Sequence, residues 1–180
     1  QPVSEPGPDR CVVFQEDALF PWLTVAENIG FGLKGRGLSR GRKQKMVDRY
    51  LSLVGLLPFG DYLPAEISGG MKQRVSLARV LILEPAILLM DEPFVALDSQ
   101  TRQEMQQLLL QLWKRFSHTV VFVTHDVREA VLLADRVVMM DKNPGRVKEV
   151  IDIKMERPRD PGGNLFHRQC VQLDELLRSP

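Results

Sequence analysis

The stretch that decides the fold is ISGGMKQRVSLARVLILEPAILLMDEPFVALD, residues 67–98. It opens with Ser68-Gly69-Gly70, a turn of small residues that leads directly into a helical pattern, and Ser68 is a favoured N-cap residue. The two glycines carry no side chain, so a ligand can approach the backbone N–H groups of the turn closely. A helix N-terminus attracts anions through its unpaired N–H groups and its dipole. The turn therefore predicts an anion-binding helix N-terminus.

An acidic pair follows the next predicted strand. Glu84-Pro85 ends the helical pattern, and the apolar residues 87–90 suit a strand that is buried on both faces. Asp91 and Glu92 stand where this strand ends, which is the usual ligand position in an open α/β sheet. An anion-binding turn and a strand-end acidic pair, joined by one helix, indicate nucleotide and magnesium chemistry.

Composition places the chain among ordinary globular proteins. Its 180 residues suit one domain, and 44% apolar and 26% charged residues are typical values. The net charge of +1 gives no general field for nucleic acid. Cys11 and Cys170 lack metal-type spacing and are best interpreted as reduced cytosolic thiols.

No apolar run approaches the roughly 18 residues that span a bilayer, and no signal peptide is recognisable. A role at a membrane would therefore require a partner. Residues 1–10 predict a turn-rich lead-in, because proline recurs there. The chain also begins without Met, which suggests a fragment.

The remaining pattern alternates helices and strands. We expect a helix that Thr24 caps, with Glu27 at capping-box spacing. One strand should end near Gln15 and another should occupy residues 119–123. The parallel sheet should continue through a strand at 137–140. Residues 46–57, 127–134 and 165–177 predict helices, and residues 147–155 predict a peripheral strand. Another amphipathic helix is expected after Asp98, with an apolar stripe from Met105 to Phe116.

The motifs, taken together in their order and spacing, resemble those of the ATPase subunits of ABC transporters. ISGGMKQR is similar to the family signature, ILLMDEP to the Walker B strand with its catalytic glutamate, and ALD to the D-loop. VVFQ, residues 12–15, is similar to the Q-loop entry, and VTHD, residues 123–126, to the switch-histidine segment. The resemblance covers roughly residues 5–178.

The resemblance implies the fold class and its divisions. We expect an α/β fold of the P-loop NTPase type, a parallel sheet flanked by helices with an inserted helical subdomain. The helical and signature subdomain would occupy residues 26–82. The α/β core would occupy residues 1–25 and 83–157. A linker and a C-terminal helix would occupy residues 158–180.

The resemblance also implies the catalytic and metal-binding roles. Asp91 and Gln15 would hold Mg²⁺ near ATP. Glu92 would polarise the water that attacks the γ-phosphate, and His125 would sense that phosphate. The residues alone leave a structural alternative open for each: Gln15 as a polar residue that ends a strand, Glu92 as an acid that starts a helix, and His125 as a structural histidine.

The signature turn has a different role in the family. Ser68, Gly69 and Gly70 would close over an ATP held by a second ATPase subunit, and Asp98 would lie at the same interface. Met71 stands where the family commonly has Gln. We expect little effect from this difference, because the backbone N–H groups of the turn bind the phosphate.

A phosphate-binding loop of the form G-x-x-x-x-G-K-[ST] is absent from the 180 residues. Gly32 and Gly37 have the right interval, but Leu38 stands where the lysine belongs and no strand precedes them. The resemblance therefore implies that an N-terminal part of the domain is missing. We expect this chain to be inactive alone and not to bind ATP measurably.

Two further surfaces have open interpretations. The basic residues in 34–45 are conceivable as a nucleic-acid patch, but interleaved aromatic residues are missing and a solvated loop is favoured. Phe20 and Trp22 belong to an unusually apolar segment beside the Q-loop. They would either dock a membrane partner or pack inside the helical subdomain.

The segments FQEDALFPWLTVAENI and FVTHDVREAVLLADRVVMM and the tail with ERPRD resemble the importer branch for nitrate, sulfonates or taurine. This implies an ATP-binding subunit at the cytoplasmic face of the cell membrane. Its partners would be a transmembrane permease, a second ATPase subunit and, indirectly, a substrate-binding protein, without nucleic acid. The transported substrate cannot be read from this chain.

Two other functions compete with the importer ATPase. One is an incomplete subunit that gives only its signature face to a partner ATPase; the presence of Glu92 and His125 argues against it. The other is an ABC ATPase of DNA repair or translation. Such proteins have two cassettes or long coiled-coil insertions, and this chain has neither.

Overall fold

The computed structural model describes residue 5, residue 7 and residues 9–178. The chain divides into two compact units, Gln1–Val123 and Thr124–Pro180. Most of the predicted lead-in at residues 1–10 lies outside the described residues, as do the last two residues of the segment 158–180. The predicted division at residues 26–82 stays a prediction.

The first unit contains a parallel sheet with helices packed on it. Its strands follow the order β1-β2-β3, and both pairings are parallel. This confirms the predicted parallel sheet flanked by helices. The elements in chain order are β1 (Arg10–Val13), α1 (Val25–Gly30), α2 (Arg40–Leu53), α3 (Gly69–Leu81), β2 (Ile87–Asp91), α4 (Ser99–Phe116) and β3 (Thr119–Val123).

The sheet is buried on one face only. In register, Val13 lies beside Met90 and Met90 beside Phe122 on the covered face. On the other face Val12, Leu89 and Val121 are aligned, and Val121 is 50% exposed. The prediction that residues 87–90 form a strand buried on both faces was therefore wrong for the described residues, because apolar composition does not reveal which face is covered.

The helices begin where the sequence offers caps. Thr24 and Glu27 form the predicted capping box at α1. Helix α2 begins at Arg40, six residues before the predicted start at residue 46, because the hydroxyl of Ser39 accepts the N–H of Arg42 and caps the helix there. Part of the basic run is thus helix rather than loop.

The second unit consists of α5 (Val127–Leu133), β4 (Arg136–Lys142), β5 (Gly145–Asp152) and α6 (Asn164–Arg178). Strands β4 and β5 form an antiparallel pair of their own. The prediction that β4 continues the parallel sheet was wrong for the described residues. The local turn at Asn143–Gly145 joins β4 to the strand that follows it, and this pairing requires no crossover.

Buried Arg159 holds the second unit together. Its guanidinium donates hydrogen bonds to the carbonyls of Val131 and Ala134, at 2.7 and 2.6 Å, where helix α5 ends. Another bond reaches the carbonyl of Met155. Burial lowers the pKa of Arg159. The arginine satisfies helix-end carbonyls that would otherwise lack donors, so this part of the ERPRD tail has a structural role.

None of the helices in the described part of the chain is long and apolar enough to cross a membrane.

Candidate functional site

Asp91 and Gln15 lie at the same edge of the parallel sheet. Asp91 is the last residue of β2, and Gln15 follows β1 by two residues. Both side chains are exposed. Within the described residues, no group of three or more His, Cys, Asp or Glu side chains forms a metal site. Two oxygen-bearing side chains suit Mg²⁺, which usually keeps several waters and takes few protein ligands.

Glu92 occupies a strained turn directly after β2. Its φ angle is 42°, in the left-handed region that non-glycine residues rarely adopt. Its backbone N–H donates to the carbonyl of Val123 at the end of β3, 3.0 Å away. Phe94, 1% exposed, packs on the ring of Phe122. Such strain persists where the surroundings over-determine the conformation, which is common at functional sites.

The structure confirms Ser68 as the N-cap of α3. Its hydroxyl oxygen accepts the N–H of Met71 at 3.3 Å. Ser68 and Gly69 are exposed, so the N–H groups of this turn remain near solvent. The chain therefore presents the predicted helix N-terminus on its surface.

The two glycines of the turn have different surroundings. A Cβ atom on Gly70 would overlap the Cγ2 methyl group of Thr101 in α4, whereas a Cβ atom on Gly69 would meet nothing within 4 Å. Gly70 is thus required by packing between α3 and α4. Within the described residues, packing gives no reason for a glycine at position 69. A ligand or a partner can therefore approach the backbone there.

Asp98 caps helix α4. Its carboxylate accepts the backbone N–H groups of Gln100 and Thr101, both at 3.1 Å. The hydroxyl and N–H of Thr101, with the N–H of Gln100, lower the pKa of Asp98. The carboxylate is therefore charged at neutral pH and exposed, with one oxygen already used inside the chain.

Sequence reasoning missed two residues of α3 that contact the site. Arg79 donates to the carbonyls of Ala18 and Asp17, at 2.8 and 3.1 Å, and thereby fixes the segment after Gln15. Gln73 donates to the carbonyl of Pro93, next to Glu92, at 2.7 Å. Gln73 was detectable as a polar residue on the buried stripe of α3, because it shares a face with Leu77 and Val80.

His125 belongs to the second unit and is exposed. It precedes Asp126, whose carboxylate accepts the N–H groups of Arg128 and Glu129 and so caps α5. The local structure therefore places His125 just before a helix N-terminus. Its predicted role beside the phosphate stays a prediction.

An aromatic cluster follows the Gln15 segment. Phe20 contacts the rings of Trp22 and Phe31, with centroids 5.8 and 4.3 Å apart. Trp22 is 73% exposed, whereas Phe20 is half-buried and lies under the guanidinium of Arg79. Packing within the first unit thus covers much of the Phe20 side chain and little of the Trp22 side chain.

Comparison with known proteins agrees with this arrangement. A family described as ABC transporter matches residues 4–95, just over half of the chain. A Methanocaldococcus jannaschii protein named as an ABC transporter ATP-binding protein is 50% identical over 98% of this chain and 68% of its own length. The chain belongs to the ABC transporter family.

Relatives with specific names align with most of this ABC transporter chain. The nitrate import ATP-binding protein NrtD of Synechocystis sp. is 46% identical, over 99% of this chain and 70% of its own length. The taurine import ATP-binding protein TauB of Pseudomonas putida is 49% identical, over 84% and 58%. The chain spans 61% of the length of a Brucella abortus ATP-binding protein that it matches at 54% identity.

Solved structures show the same fold. CbiO1 of Clostridium perfringens, part of the ABC transporter complex CbiONQ, aligns with a TM-score of 0.77 at 30% identity, over 96% of this chain and 65% of that one. The ATP-binding cassette MJ0796, solved as a dimer bound to ADP and Pi, aligns with a TM-score of 0.68 at 34% identity, over 82% and 64%. The predicted fold class is confirmed.

We predict that alanine lowers the stability at Gly70 but not at Gly69. Gly70→Ala should lower the free energy of unfolding of the first unit by about 1–2 kcal/mol, because the new methyl group overlaps Thr101. Thr101 cannot rotate away without losing its hydrogen bond to Asp98. Gly69→Ala should cause no loss, since the space there is open. Urea unfolding followed by tryptophan fluorescence measures both.

The double variant Gly70→Ala with Thr101→Ser is the matched control. Serine keeps the hydroxyl and removes the overlapping methyl group, so most of the lost stability should return. Equal stability losses in Gly69→Ala and Gly70→Ala would contradict the packing argument.

Proposed function

We propose that this chain belongs to the ATP-binding subunit of an importer and couples ATP hydrolysis to uptake of a small anion. The observation that carries the proposal is the shared sheet edge, where Gln15 and Asp91 lie beside the strained turn of Glu92. Relatives named for nitrate and taurine import support the anion class. The exposed N-terminus of α3 supports phosphate binding at a second place.

The residues of the sheet edge have complementary chemistry. Asp91 and Gln15 would hold Mg²⁺ through oxygen atoms, directly or through water. With Mg²⁺ held there, its charge would stabilise the phosphates during transfer. Glu92, fixed by the turn, would accept the hydrogen bond of the attacking water and orient it. His125 would contact the γ-phosphate and sense its presence.

The signature turn would act on a different nucleotide from Glu92 of the same chain. Ser68, Gly69 and Gly70 would contact an ATP held by a second ATPase subunit, and Asp98 would lie at that interface. The exposed Gly69, without an internal reason to be glycine, supports this assignment. MJ0796, a dimer with ADP and Pi, supports a two-subunit arrangement.

Nucleotide binding would also require a phosphate-binding loop, which these 180 residues do not contain. We propose that the segment with this loop covers the open face of the sheet. Val12, Leu89 and Val121 form an aligned apolar row on that face. Parallel sheets are as a rule covered on both faces, so this row supports the proposal.

The proposed membrane partner is a permease, which makes the location peripheral, at the cytoplasmic face. Trp22, exposed beside the Gln15 segment, would contribute to the docking surface. Phe20 would support it from below. A substrate-binding protein would act only through the permease. CbiO1, part of a transporter complex, supports a membrane partner of this kind.

We predict that the 180-residue chain alone does not bind MgATP measurably in a calorimetric titration. Without the phosphate-binding loop, the sheet edge offers oxygen ligands for the metal but no cradle of N–H groups for the phosphates. Low-micromolar binding to the isolated chain would contradict this expectation.

We predict that Glu92→Gln in the full-length protein lowers the ATPase kcat by about 10²-fold or more, the scale of general-base catalysis. ATP binding should persist, because the metal and phosphate ligands remain. The variant should therefore accumulate as an ATP-bound dimer, detectable by size-exclusion chromatography with ATP.

Glu104→Gln is the matched control. Glu104 is an exposed carboxylate of α4 that pairs with Arg74 at the surface, so this change should leave kcat near the wild-type value. Normal turnover in Glu92→Gln would remove Glu92 from its role and would favour an incomplete subunit that gives only its signature face to a partner.

A further inference from the structure

We propose that Gln73 is a positioning residue that holds the backbone turn carrying Glu92. The inference rests on the proposed function, in which Glu92 orients the attacking water. Gln73 touches neither nucleotide nor metal in this proposal. It acts through the carbonyl of Pro93, the residue that follows Glu92.

The contact of Gln73 is a single, short and buried hydrogen bond. The side chain is on helix α3 and only 5% exposed, and its Nε2 donates to the Pro93 carbonyl at 2.7 Å. Pro93 is itself buried. A buried carbonyl without a donor is costly, so removing the amide leaves an unsatisfied acceptor inside the first unit.

The bond acts on the part of the turn that needs support. Glu92 has a left-handed backbone, and its N–H is held from one side by the carbonyl of Val123. Gln73 holds the next carbonyl from the side of α3, and the buried Phe94 fixes the chain beyond it. With one of these supports removed, the strained φ angle of Glu92 can relax. The carboxylate would then lose the orientation that the turn gives it.

A hydrophobic residue would fill the position as well as glutamine if packing were the only requirement. Leu77 and Val80 on the same buried stripe are apolar, and Ser76, the other buried polar residue of α3, has only a small hydroxyl group. The buried amide donates to one backbone carbonyl. This indicates that the position requires a directed hydrogen bond and not only a side chain of the right volume.

Gln73 also links the signature turn to the turn of Glu92 within one chain. It lies one helical turn after Gly69, about 6 Å along the axis of α3. A displacement of the signature turn, when it meets the second subunit's nucleotide, moves the same rigid helix that carries Gln73. The amide thus connects closure at the signature turn to the position of Glu92.

The test uses Gln73→Met in the full-length protein, because methionine has nearly the same length and volume but no donor. We expect kcat for ATP hydrolysis to fall by about tenfold to a hundredfold, the range associated with a misplacement of about 1 Å. The KM for ATP should stay within about twofold of wild type, since no nucleotide ligand changes. Gln73→Asn, whose amide is one methylene too short, should show the same defect.

A second measurement does not depend on activity. Hydrogen exchange of the amides of Glu92, Val95 and Leu97, which donate to the carbonyls of Val123, Glu92 and Phe94, should be about tenfold faster in Gln73→Met. Amides of α4 should be unchanged. Gln111→Met, at an exposed position of α4, is the matched control and should behave as wild type in both assays.

The outcomes separate the two claims. Loss of turnover in Glu92→Gln with normal kcat in Gln73→Met overturns the role of Gln73 and leaves the proposed function standing. Normal turnover in Glu92→Gln overturns the proposed function itself. Unchanged exchange in the turn, or a rise in KM that accounts for the whole loss of kcat/KM, also overturns the positioning role.

Discussion

The packing of helix α3 is the constraint on which the first unit depends. One end of α3 presents the signature turn, and its side chains hold two other segments that carry predicted site residues. Arg79 binds the carbonyls after Gln15, and Gln73 binds the carbonyl after Glu92. Gly70 brings the start of the helix against α4, whose N-cap is Asp98. A shift of α3 would therefore disturb every one of these segments.

The sequence was sufficient where the chemistry is local. Ser68 at α3 and the Thr24 capping box were predictable, because a cap needs only a side-chain oxygen three residues before an N–H group. Strand β2 and the position of Asp91 at its end followed from a short apolar run with an acid after it. The parallel pairing followed from strands separated by helices.

The rest depends on contacts between distant parts of the chain. Runs of apolar residues predicted buried strands, yet Val121 is half exposed, because burial of a sheet face depends on what packs against it. Strand β4 pairs with β5 rather than with the sheet, a choice that alternation of elements cannot decide. The hydrogen bond from Gln73 spans twenty residues, so no local pattern shows its partner. The different surroundings of Gly69 and Gly70 likewise depend on a distant residue, because Thr101 of α4 packs against Gly70 and not against Gly69.

The central claim is that Gly69 and Glu92 of one chain serve different nucleotides. A mixed dimer of full-length subunits, one with Gly69→Asp and the other with Glu92→Gln, tests it directly. If the signature turn acts on the partner's nucleotide, one site contains both changes and the other contains neither, so ATPase activity should exceed that of both variant homodimers. If the two residues serve the same nucleotide, each site contains one change. A mixed dimer as inactive as the homodimers would contradict the account.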